Sequence, residues 1–298
     1  MEKVLVIVGQ TAVGKTSMSI KLAKALNGEI INGDAMQVYK ELNIVTDKIK
    51  EEKMENIPHH LLNIKSIDED YSVEEYQHNI RKVISEITNK GKLPIIVGGT
   101  GLYVKAALYD YCFEKQEISN KEIEEKYKDY SNDELYEMLL KYDSKSAESI
   151  HKNNRRRVLR AIGIYETTGN KKSDIIEKQN HEMLYDAIII SLTLDKEIIN
   201  NKIDQRIEEM FNEGLIEEVK NNPTTTTASK AIGYKEVSDY LNGLTTLQET
   251  KELMKVHTHQ YAKRQRTWFK HQFPVHFVNN DENAFDNIIN IINNQWTK

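Results

Sequence analysis

The sequence predicts an α/β fold in which a parallel β-sheet core carries an inserted, mostly helical domain. Short apolar runs typical of buried strands alternate with helical patterns, and they cover residues 4–8, 29–33, 93–99 and 186–194. Between residues 114 and 185 no such run occurs, and the pattern is polar and helical. Alternating strands and helices favour a parallel sheet with its ligand site at the carboxyl ends of the strands. We therefore predict a core of residues 1–113 and 186–298, interrupted by an insertion domain of residues 114–185.

The first strand leads into a phosphate-binding loop. Residues 9–16, GQTAVGKT, fit the pattern G-x-x-x-x-G-K-[ST], and a helical pattern over residues 17–26 follows. In such a loop the backbone N–H groups and the helix N-terminus surround a di- or triphosphate, the lysine adds a point charge, and the hydroxyl binds Mg²⁺. The core is therefore predicted to be P-loop NTPase-like. The residues predicted to bind the phosphates are Gly9, Thr11, Ala12, Val13, Gly14, Lys15 and Thr16, with Thr16 as the Mg²⁺ ligand.

Helix-end signals organise the rest of the chain. The sequence SVEE predicts a capping box between Ser72 and Glu75, and a second box is predicted inside the insertion between Ser131 and Glu134. Gly169 is placed to end a later helix of the insertion. The remaining predicted elements are helices over residues 196–211 and about 247–272 and a strand after Pro274.

Composition excludes several classes of protein. The chain has 298 residues, of which 29% are charged, and its four prolines are scattered rather than clustered in a linker. No run approaches the roughly 18 apolar residues that span a bilayer. Cys112 is the only cysteine, which excludes an internal disulfide and a cysteine-based zinc site. We predict a cytoplasmic protein without a membrane partner.

The positive charges are clustered although the net charge is −5. Two stretches contain no acidic residue, one between Glu148 and Glu166 and the other between Glu252 and Asp281. Such clusters on an acidic protein indicate docking to a specific polyanion, and the alternative is two solvated helix faces. The clustered cations are Lys152, Arg155, Arg156, Arg157 and Arg160 in the first stretch, and Lys255, Lys263, Arg264, Arg266 and Lys270 in the second.

Three polar or loop residues follow predicted strand ends, namely Gly9, Asp34 and Thr100. They should meet at one edge of the sheet, since parallel strands end on the same side. Asp34 either faces a metal or substrate there or caps a turn. Phosphate-transferring P-loop enzymes often carry a magnesium-binding aspartate after a buried strand, whereas the strand of residues 93–99 ends in glycines. The residues alone indicate a P-loop transferase with a helical insertion.

Seven motifs occur in an order that identifies a family. They are GQTAVGKT, GDAMQVY, PHHLLNI, VGGTGLYVKAAL, NNRRRVLRA, AIGYKE and QYAKRQRTWF. Over residues 1 to about 270 the chain resembles the bacterial tRNA dimethylallyltransferases. The resemblance implies a monomeric, Mg²⁺-dependent enzyme whose phosphate loop binds dimethylallyl diphosphate. It also implies that the partner is the anticodon stem-loop of tRNA, in which N6 of adenosine 37 is modified in tRNAs that read codons starting with U.

The resemblance also implies roles for individual side chains. Asp34 takes the proton from the adenine amine, while Lys15, Thr100 and Arg206 act on the diphosphate leaving group. The amide of Gln37 suits the edge of an adenine. The two basic clusters grip the anticodon stem-loop, so that the late helices belong to the tRNA-binding part of the core. The residues expected to contact tRNA are Asp34, Ala35, Met36, Gln37, Thr100, Arg156, Arg157, Val158, Leu159, Arg160, Gly233, Tyr234, Lys263, Arg264 and Arg266.

Some candidates have simpler explanations. Without the resemblance Arg206 would be assigned to a helix surface, and aromatic residues at helical spacing are more often core than base-stacking platforms. Histidines without an acid or cysteine at ligand spacing do not predict a metal site. The tyrosines concerned are Tyr39, Tyr103 and Tyr234, for which base stacking is the alternative. Trp268 and Phe269 are expected to pack the basic helix onto the core. The histidines for which a metal site is not predicted are His59, His60, His257 and His259.

The sequence departs from the family pattern in places. Gln10 replaces the familiar proline, Gly33 and Ala35 replace the serines beside Asp34, and residues 43–49 read NIVTDKI where relatives read DIGTAKP. Contacts of this 43–49 loop with tRNA are therefore not expected to follow the family. Two other functions stay open from the residues alone, a small-molecule or nucleotide kinase and a non-catalytic RNA-binding ATPase. The basic clusters and the missing aspartate after Val97 disfavour the kinase.

Overall fold

A computed structural model describes residues 1–111, 113, 120–178 and 182–296. They form two compact units, one of residues Met1–Tyr109 with Met183–Lys298 and the other of residues Asp110–Glu182. The second unit overlaps the predicted insertion of residues 114–185. Cys112 and Glu114 lie outside the described residues.

The first unit begins with alternating strands and helices. In chain order its first part contains β1 (Lys3–Gly9), α1 (Lys15–Ala25), β2 (Gly28–Asn32), β3 (His59–His60), α2 (Val73–Asn89), β4 (Leu93–Val97) and α3 (Gly101–Leu108). The two-residue strand β3 was not predicted, since it is too short to produce a periodic signal.

The second unit is helical over its described residues. It contains α4 (Asn120–Lys126), α5 (Asn132–Tyr142), α6 (Ser144–Ser149), α7 (Arg155–Thr168) and α8 (Lys172–Lys178). Its core is small and apolar, and it includes Leu135, Leu139 and Ile162. The predicted capping box is present, because Ser131 and Glu134 each accept from the other's backbone N–H group. Gly169 ends α7 in the left-handed conformation, with φ 71°, as predicted.

The chain then completes the first unit. This part contains β5 (Asp186–Thr193), α9 (Lys196–Asn212), α10 (Leu215–Asn221), α11 (Tyr234–Leu241), α12 (Leu247–Gln272), β6 (His276–Asn279) and α13 (Ala284–Trp296).

The described strands form one parallel sheet in the order β3-β2-β4-β1-β5-β6, which confirms the predicted fold class. In the central strand β1, Val6 pairs with Ile96 of β4 on one side and with Ile189 of β5 on the other. Helices cover both faces, so a central strand is apolar along its whole length rather than at alternate residues. Residues 4–8 are accordingly all fully buried.

The N-terminus of α2 shows how a neighbouring charge alters a cap. The Ser72 hydroxyl accepts from the backbone N–H of Glu75, as predicted. The Glu75 carboxylate, however, pairs with Lys65 at 2.9 Å instead of completing the box with the backbone of Ser72. An ammonium within reach competes with a backbone N–H for the carboxylate.

Among the described residues no helix is both long and apolar enough to cross a membrane.

Candidate active site

The phosphate loop joins β1 to α1. Gly14 adopts φ 93°, and a β-carbon there would lie 2.4 Å from the side-chain nitrogen of Asn280. Asn280 follows β6 and donates from that nitrogen to the carbonyl of Val13 at 2.7 Å. The loop is thus supported from the opposite end of the chain, at a position for which the sequence carries no motif.

Lys15 lies at the centre of the charges around the loop. Its ammonium donates to the carbonyls of Gly9, at 3.1 Å, and Gln10, at 2.7 Å. Burial lowers the pKa of Lys15 to about 8; the negative charge of Asp34 opposes this shift, and the positive charge of Arg206 reinforces it. Residues that are far apart in sequence therefore converge on one cationic group, as the strand-end argument predicts for Asp34.

Asp34 occupies the turn that follows β2. The amide side chain of Asn32 binds both the N–H and the carbonyl of Asp34, at 2.9 Å each. One carboxylate oxygen of Asp34 accepts from the N–H of Met36 at 2.8 Å, so Asp34 does act as a turn residue. The other oxygen takes no hydrogen bond from any described residue, and it leaves the carboxylate able to accept a proton from a ligand.

The turn after β4 carries Thr100 to the same place. A β-carbon on Gly98 would lie 2.2 Å from the backbone of Gly33, so only glycine allows the two turns to touch. Thr100 then accepts at its hydroxyl from the N–H of Ala35, at 3.0 Å. The prediction that Gly9, Asp34 and Thr100 share one edge of the sheet agrees with this arrangement.

Arg206 on α9 is not a free helix-surface residue. Its side chain is 20% exposed, and it forms an ion pair with Asp47 at 3.0 Å. Its Nε atom is buried without a hydrogen-bond partner among the described atoms. Arg206 also acts on the pKa of Lys15, which places its guanidinium beside the phosphate loop.

Gln265 is a site residue that the sequence analysis missed. It is buried on α12, where it accepts from the N–H of Thr11 at 2.8 Å and donates to the carbonyl of Gly99 at 3.0 Å. One amide thus joins the phosphate loop to the turn that carries Thr100. The signal was present but weak, since Gln265 and Phe269 lie four residues apart on the buried face of the basic helix.

Tyr261 on the same helix was also missed. Burial and the negative charge of Asp34 raise the pKa of Tyr261, which interacts with Thr100 and Gln265. The Tyr261 hydroxyl therefore stays protonated and belongs to the polar lining of the site.

Side chains from outside the 43–49 loop hold its backbone in place. The carboxylate of Glu218 accepts from three successive N–H groups, those of Asn43, Ile44 and Val45. The side-chain nitrogen of Gln37 donates to the carbonyl of Thr46 at 3.0 Å. The amide that was expected to bind adenine therefore holds the loop in this structure.

Lys48 is the buried anchor of the same loop. Its ammonium donates to the carbonyl of Tyr39 at 2.5 Å and to the side chains of Asn43 and Asn63. Burial lowers the pKa of Lys48 to about 8.

The basic residues separate into exposed and structural ones. Arg155 donates to backbone carbonyls of its own unit, and Lys152 pairs with Asp133. Lys255 pairs with Glu208. The remaining predicted cations are exposed. We call Arg156, Arg157 and Arg160 the α7 patch, and Lys263, Arg264 and Arg266 the α12 patch.

Lys172 adds to the α7 patch, which the sequence did not predict. Burial lowers its pKa, and the positive charges of Arg160 and Arg157 lower it further. Lys172 therefore lies close to both arginines.

Three of the residues expected to contact tRNA are core residues instead. Val158 and Leu159 are 0% and 2% exposed, since they form the buried face of α7. Tyr234 is 4% exposed, and its hydroxyl donates to the carbonyl of Asn222 and accepts from the N–H of Thr224. These side chains do not face solvent, so the expected side-chain contacts with tRNA are not available. Gly233, just before Tyr234, donates its N–H to the buried carboxylate of Glu236.

The aromatic residues follow the simpler prediction. Tyr39 and Tyr103 are buried, and Tyr103 stacks on Tyr76 with ring centroids 4.2 Å apart. Phe269 is fully buried, and Trp268 lies against Gly101. They pack the core and α12.

Three of the four histidines lie against acidic side chains. His60 pairs with Glu29, His257 with Glu236 and His259 with Asp204, whereas His59 contacts the carbonyl of Ile57. Within the described ranges no three His, Cys, Asp or Glu side chains cluster as a metal site would require. Near the phosphate loop, Thr16 lines a small pocket together with Ser19, Asn32 and Gln37. None of these four side chains is a carboxylate, a cysteine or a histidine.

Fold and site together define a P-loop enzyme of the α/β class. The sequence matches the IPP transferase family over residues 37–272. The chain belongs to that family.

Relatives and solved structures agree with this assignment. A tRNA dimethylallyltransferase of Anoxybacillus flavithermus is 49% identical over 98% of this chain and 95% of its own length. One of Bacillus cereus is 47% identical over 92% of this chain and 89% of its own. The crystal structure of the full-length tRNA isopentenylpyrophosphate transferase of Bacillus halodurans matches with a TM-score of 0.76 at 38% identity, covering 100% of this chain and 97% of that one. Crystal structures of a eukaryotic dimethylallyltransferase acting on tRNA match with a TM-score of 0.85 at 30% identity, over 100% and 80%.

The pKa of Lys15 predicts how diphosphate binding depends on pH. Only the protonated ammonium attracts the anion, and a bound anion raises its pKa, so affinity is highest below pH 8 and falls as the pH rises through 8. We expect the Lys15→Arg variant to lose this decline, because a guanidinium stays charged up to a pH of about 12. Pyrophosphate affinity measured by calorimetry across this range checks it. Lys48 titrates in the same range in both proteins, so an equal decline in both would contradict the assignment to Lys15.

Gln265 predicts a stability effect. The Gln265→Leu variant leaves the buried carbonyl of Gly99 and the partly buried N–H of Thr11 without a partner. The carbonyl should cost about 1–3 kcal/mol of the free energy of unfolding, and the N–H less. The control is Gln272→Leu on the same helix, where the side chain is exposed and accepts only from Lys105; it should change stability by less than about 0.5 kcal/mol. Chemical denaturation measures both, and equal stabilities would show that the Gln265 bridge contributes nothing.

Proposed function

We propose that the protein transfers the dimethylallyl group of dimethylallyl diphosphate to N6 of adenosine 37 in tRNAs that read codons starting with U, releasing diphosphate. The observation that carries this proposal is the meeting of a phosphate loop with the Asp34 carboxylate and the Thr100 hydroxyl at one edge of the sheet. Membership of the IPP transferase family supports it. A monomeric state and a cytoplasmic location, where tRNA is found, are part of the proposal.

The first half of the chemistry is departure of the diphosphate. In an allylic diphosphate the bond from carbon 1 to oxygen weakens as negative charge gathers on the leaving group. Charges aimed at that group stabilise the transition state more than the ground state. The backbone N–H groups of residues 12–16, the ammonium of Lys15 and the guanidinium of Arg206 are placed to supply this stabilisation, and the hydroxyl of Thr100 adds a hydrogen bond.

Mg²⁺ fits the oxygen donors near the loop. Magnesium keeps several waters and takes one or two protein oxygens together with phosphate oxygens, so it does not need a cage of carboxylates. The Thr16 hydroxyl would hold the ion, and the Gln37 side chain lines the same small pocket. When bound, the ion would neutralise charge on the leaving diphosphate.

The second half is formation of the new carbon–nitrogen bond. The N6 atom of adenine attacks carbon 1, the bond from carbon 1 to the diphosphate oxygen breaks, and N6 becomes acidic as it acquires positive charge. The Asp34 carboxylate accepts this proton. Its position is fixed by Asn32 and by the N–H of Met36, so the remaining oxygen is held ready for N6.

The exposed cations account for tRNA as the acceptor. No acidic side chain of the described chain pairs with any residue of the α7 patch or the α12 patch, so both are free to meet phosphates. An adenine stacked in the anticodon loop cannot reach the sheet edge, so the base is turned out of the stack into the site.

A substrate comparison tests the proposed function against its rivals. The purified protein is incubated with Mg²⁺ and with labelled dimethylallyl diphosphate or labelled ATP, each with and without unmodified tRNA. We expect label from dimethylallyl diphosphate to appear in tRNA. Phosphate transfer from ATP without prenylation would establish the kinase, which the family assignment disfavours, and ATP hydrolysis alone would establish an RNA-binding ATPase.

Replacing Asp34 should affect turnover more than binding. We expect Asp34→Ala to lower the single-turnover rate by about 10²–10⁴-fold, the usual contribution of a positioned acid–base group. tRNA affinity should stay within about threefold, since most of that binding comes from phosphate contacts. The control is Asp68→Ala, which removes an exposed carboxylate. A rate for Asp34→Ala within a few-fold of the parent would rule out the base assignment.

The two basic patches predict the salt dependence of tRNA binding. Replacing the three cations of either patch by alanine should weaken binding and flatten the plot of log affinity against log salt by about 2–3, since each phosphate contact contributes roughly 0.7–0.9. Pyrophosphate affinity should not change. The control carries the same change of charge at three exposed lysines that already pair with acids. These are Lys24, Lys82 and Lys220. If both patch variants match the control, the patches are solvated helix faces.

A further inference from the structure

Asp47 contacts a cation that the proposed mechanism assigns to the leaving group. Its carboxylate lies 3.0 Å from the guanidinium of Arg206. Gln37 donates to the carbonyl of the neighbouring Thr46 and lines the same pocket as Thr16 of the phosphate loop, so Asp47 is held near that loop. Asp47 therefore brings a negative charge to the place where the diphosphate is proposed to bind.

The position of Asp47 is built by the fold. The residue adopts φ 49°, a left-handed conformation that non-glycine residues adopt uncommonly and that aspartate and asparagine tolerate best. Its N–H donates to the carbonyl of Ile44 at 3.0 Å, and neighbouring residues of the 43–49 loop are fixed by Glu218 and Lys48. The carboxylate is thus presented to Arg206 by a constrained loop rather than by a chance surface contact.

Asp47 also marks a departure of this chain from the family pattern. The motif DIGTAKP has alanine at this position, and an alanine cannot form an ion pair. An ion pair between residue 47 and Arg206 is therefore a feature of this chain and not of that pattern.

We propose that Asp47 is a positioning residue that holds Arg206 at the site when no diphosphate is bound and competes with diphosphate for it. The inference rests on the proposed function for the identity of the anion. An ion pair to Arg206 must be weakened or shared when a leaving group takes the guanidinium. The Asp47 carboxylate also repels the bound anion. Both effects lower the affinity for diphosphate and promote its release after the transfer.

The size of the effect follows from exposure. The Asp47 side chain is 58% exposed and Arg206 is 20% exposed, so solvent screens the pair strongly. Removing the Asp47 charge should therefore raise pyrophosphate affinity by about 3–10-fold rather than by several orders of magnitude. The rate of a single turnover at saturating substrate should stay within about twofold, because the released Arg206 can still reach the leaving group.

Asp47→Asn is the variant that isolates the charge. Asparagine keeps the shape of the side chain and tolerates the left-handed backbone, so the loop is preserved. The matched control is Glu213→Gln, because Glu213 lies just after α9 and pairs with Lys50 next to the 43–49 loop. It changes the net charge equally without touching Arg206.

The experiment is direct titration of the full-length protein with pyrophosphate in the presence of Mg²⁺, together with inhibition of prenylation by pyrophosphate. We expect Asp47→Asn to bind pyrophosphate about 3–10-fold more tightly and Glu213→Gln to match the parent. In an Arg206→Gln background the Asp47→Asn change should have a smaller effect, because the cation for which the two anions compete is gone.

Two outcomes would overturn the inference. Unchanged pyrophosphate affinity in Asp47→Asn would mean that the ion pair between Asp47 and Arg206 does not compete with diphosphate. Weaker affinity would mean that Asp47 helps to hold the anion, for example through the metal ion. Both are separable from failure of the proposed function, which is decided by whether the unaltered protein prenylates tRNA at all.

Discussion

The site depends on one backbone contact, between the turn after β2 and the turn after β4. Gly98 lies so close to Gly33 that no side chain fits between them. This approach brings the Thr100 hydroxyl to the N–H of Ala35, beside the Asp34 carboxylate. Since β1 lies next to β4 in the parallel sheet and ends at the same edge, the phosphate loop reaches this place as well. The proposed leaving-group site and the proposed proton acceptor are thereby brought together by backbone contacts.

Both cations of the site already have internal partners, although the Nε atom of Arg206 has none among the described atoms. Lys15 donates to carbonyls of its own loop, and Arg206 pairs with Asp47. In the proposed reaction, a diphosphate that binds here exchanges these contacts for its own. Burial also lowers the pKa of Lys15 to about 8, so the charge on its ammonium depends on pH.

Helix α12 links the two halves of the proposed reaction. Its exposed face carries the α12 patch, while its buried face places Gln265 between Thr11 and Gly99. The helix proposed to dock tRNA on its exposed face thus contacts the phosphate loop through its buried face. Tyr261 adds a protonated hydroxyl beside Asp34 from the same helix.

The sequence by itself determined the parallel sheet, the phosphate loop, the cap at Gly169 and the convergence of Asp34 and Thr100, because these follow from local periodicity and from the rule that parallel strands end at one edge. Only the tertiary structure decided which basic residues are exposed, that Val158, Leu159 and Tyr234 are buried, and that Gln265, Asn280 and Asp47 reach the site. The physical reason is sequence separation. A contact such as that of Asn280 with Val13 joins distant segments, and neither segment carries a local pattern that records its partner.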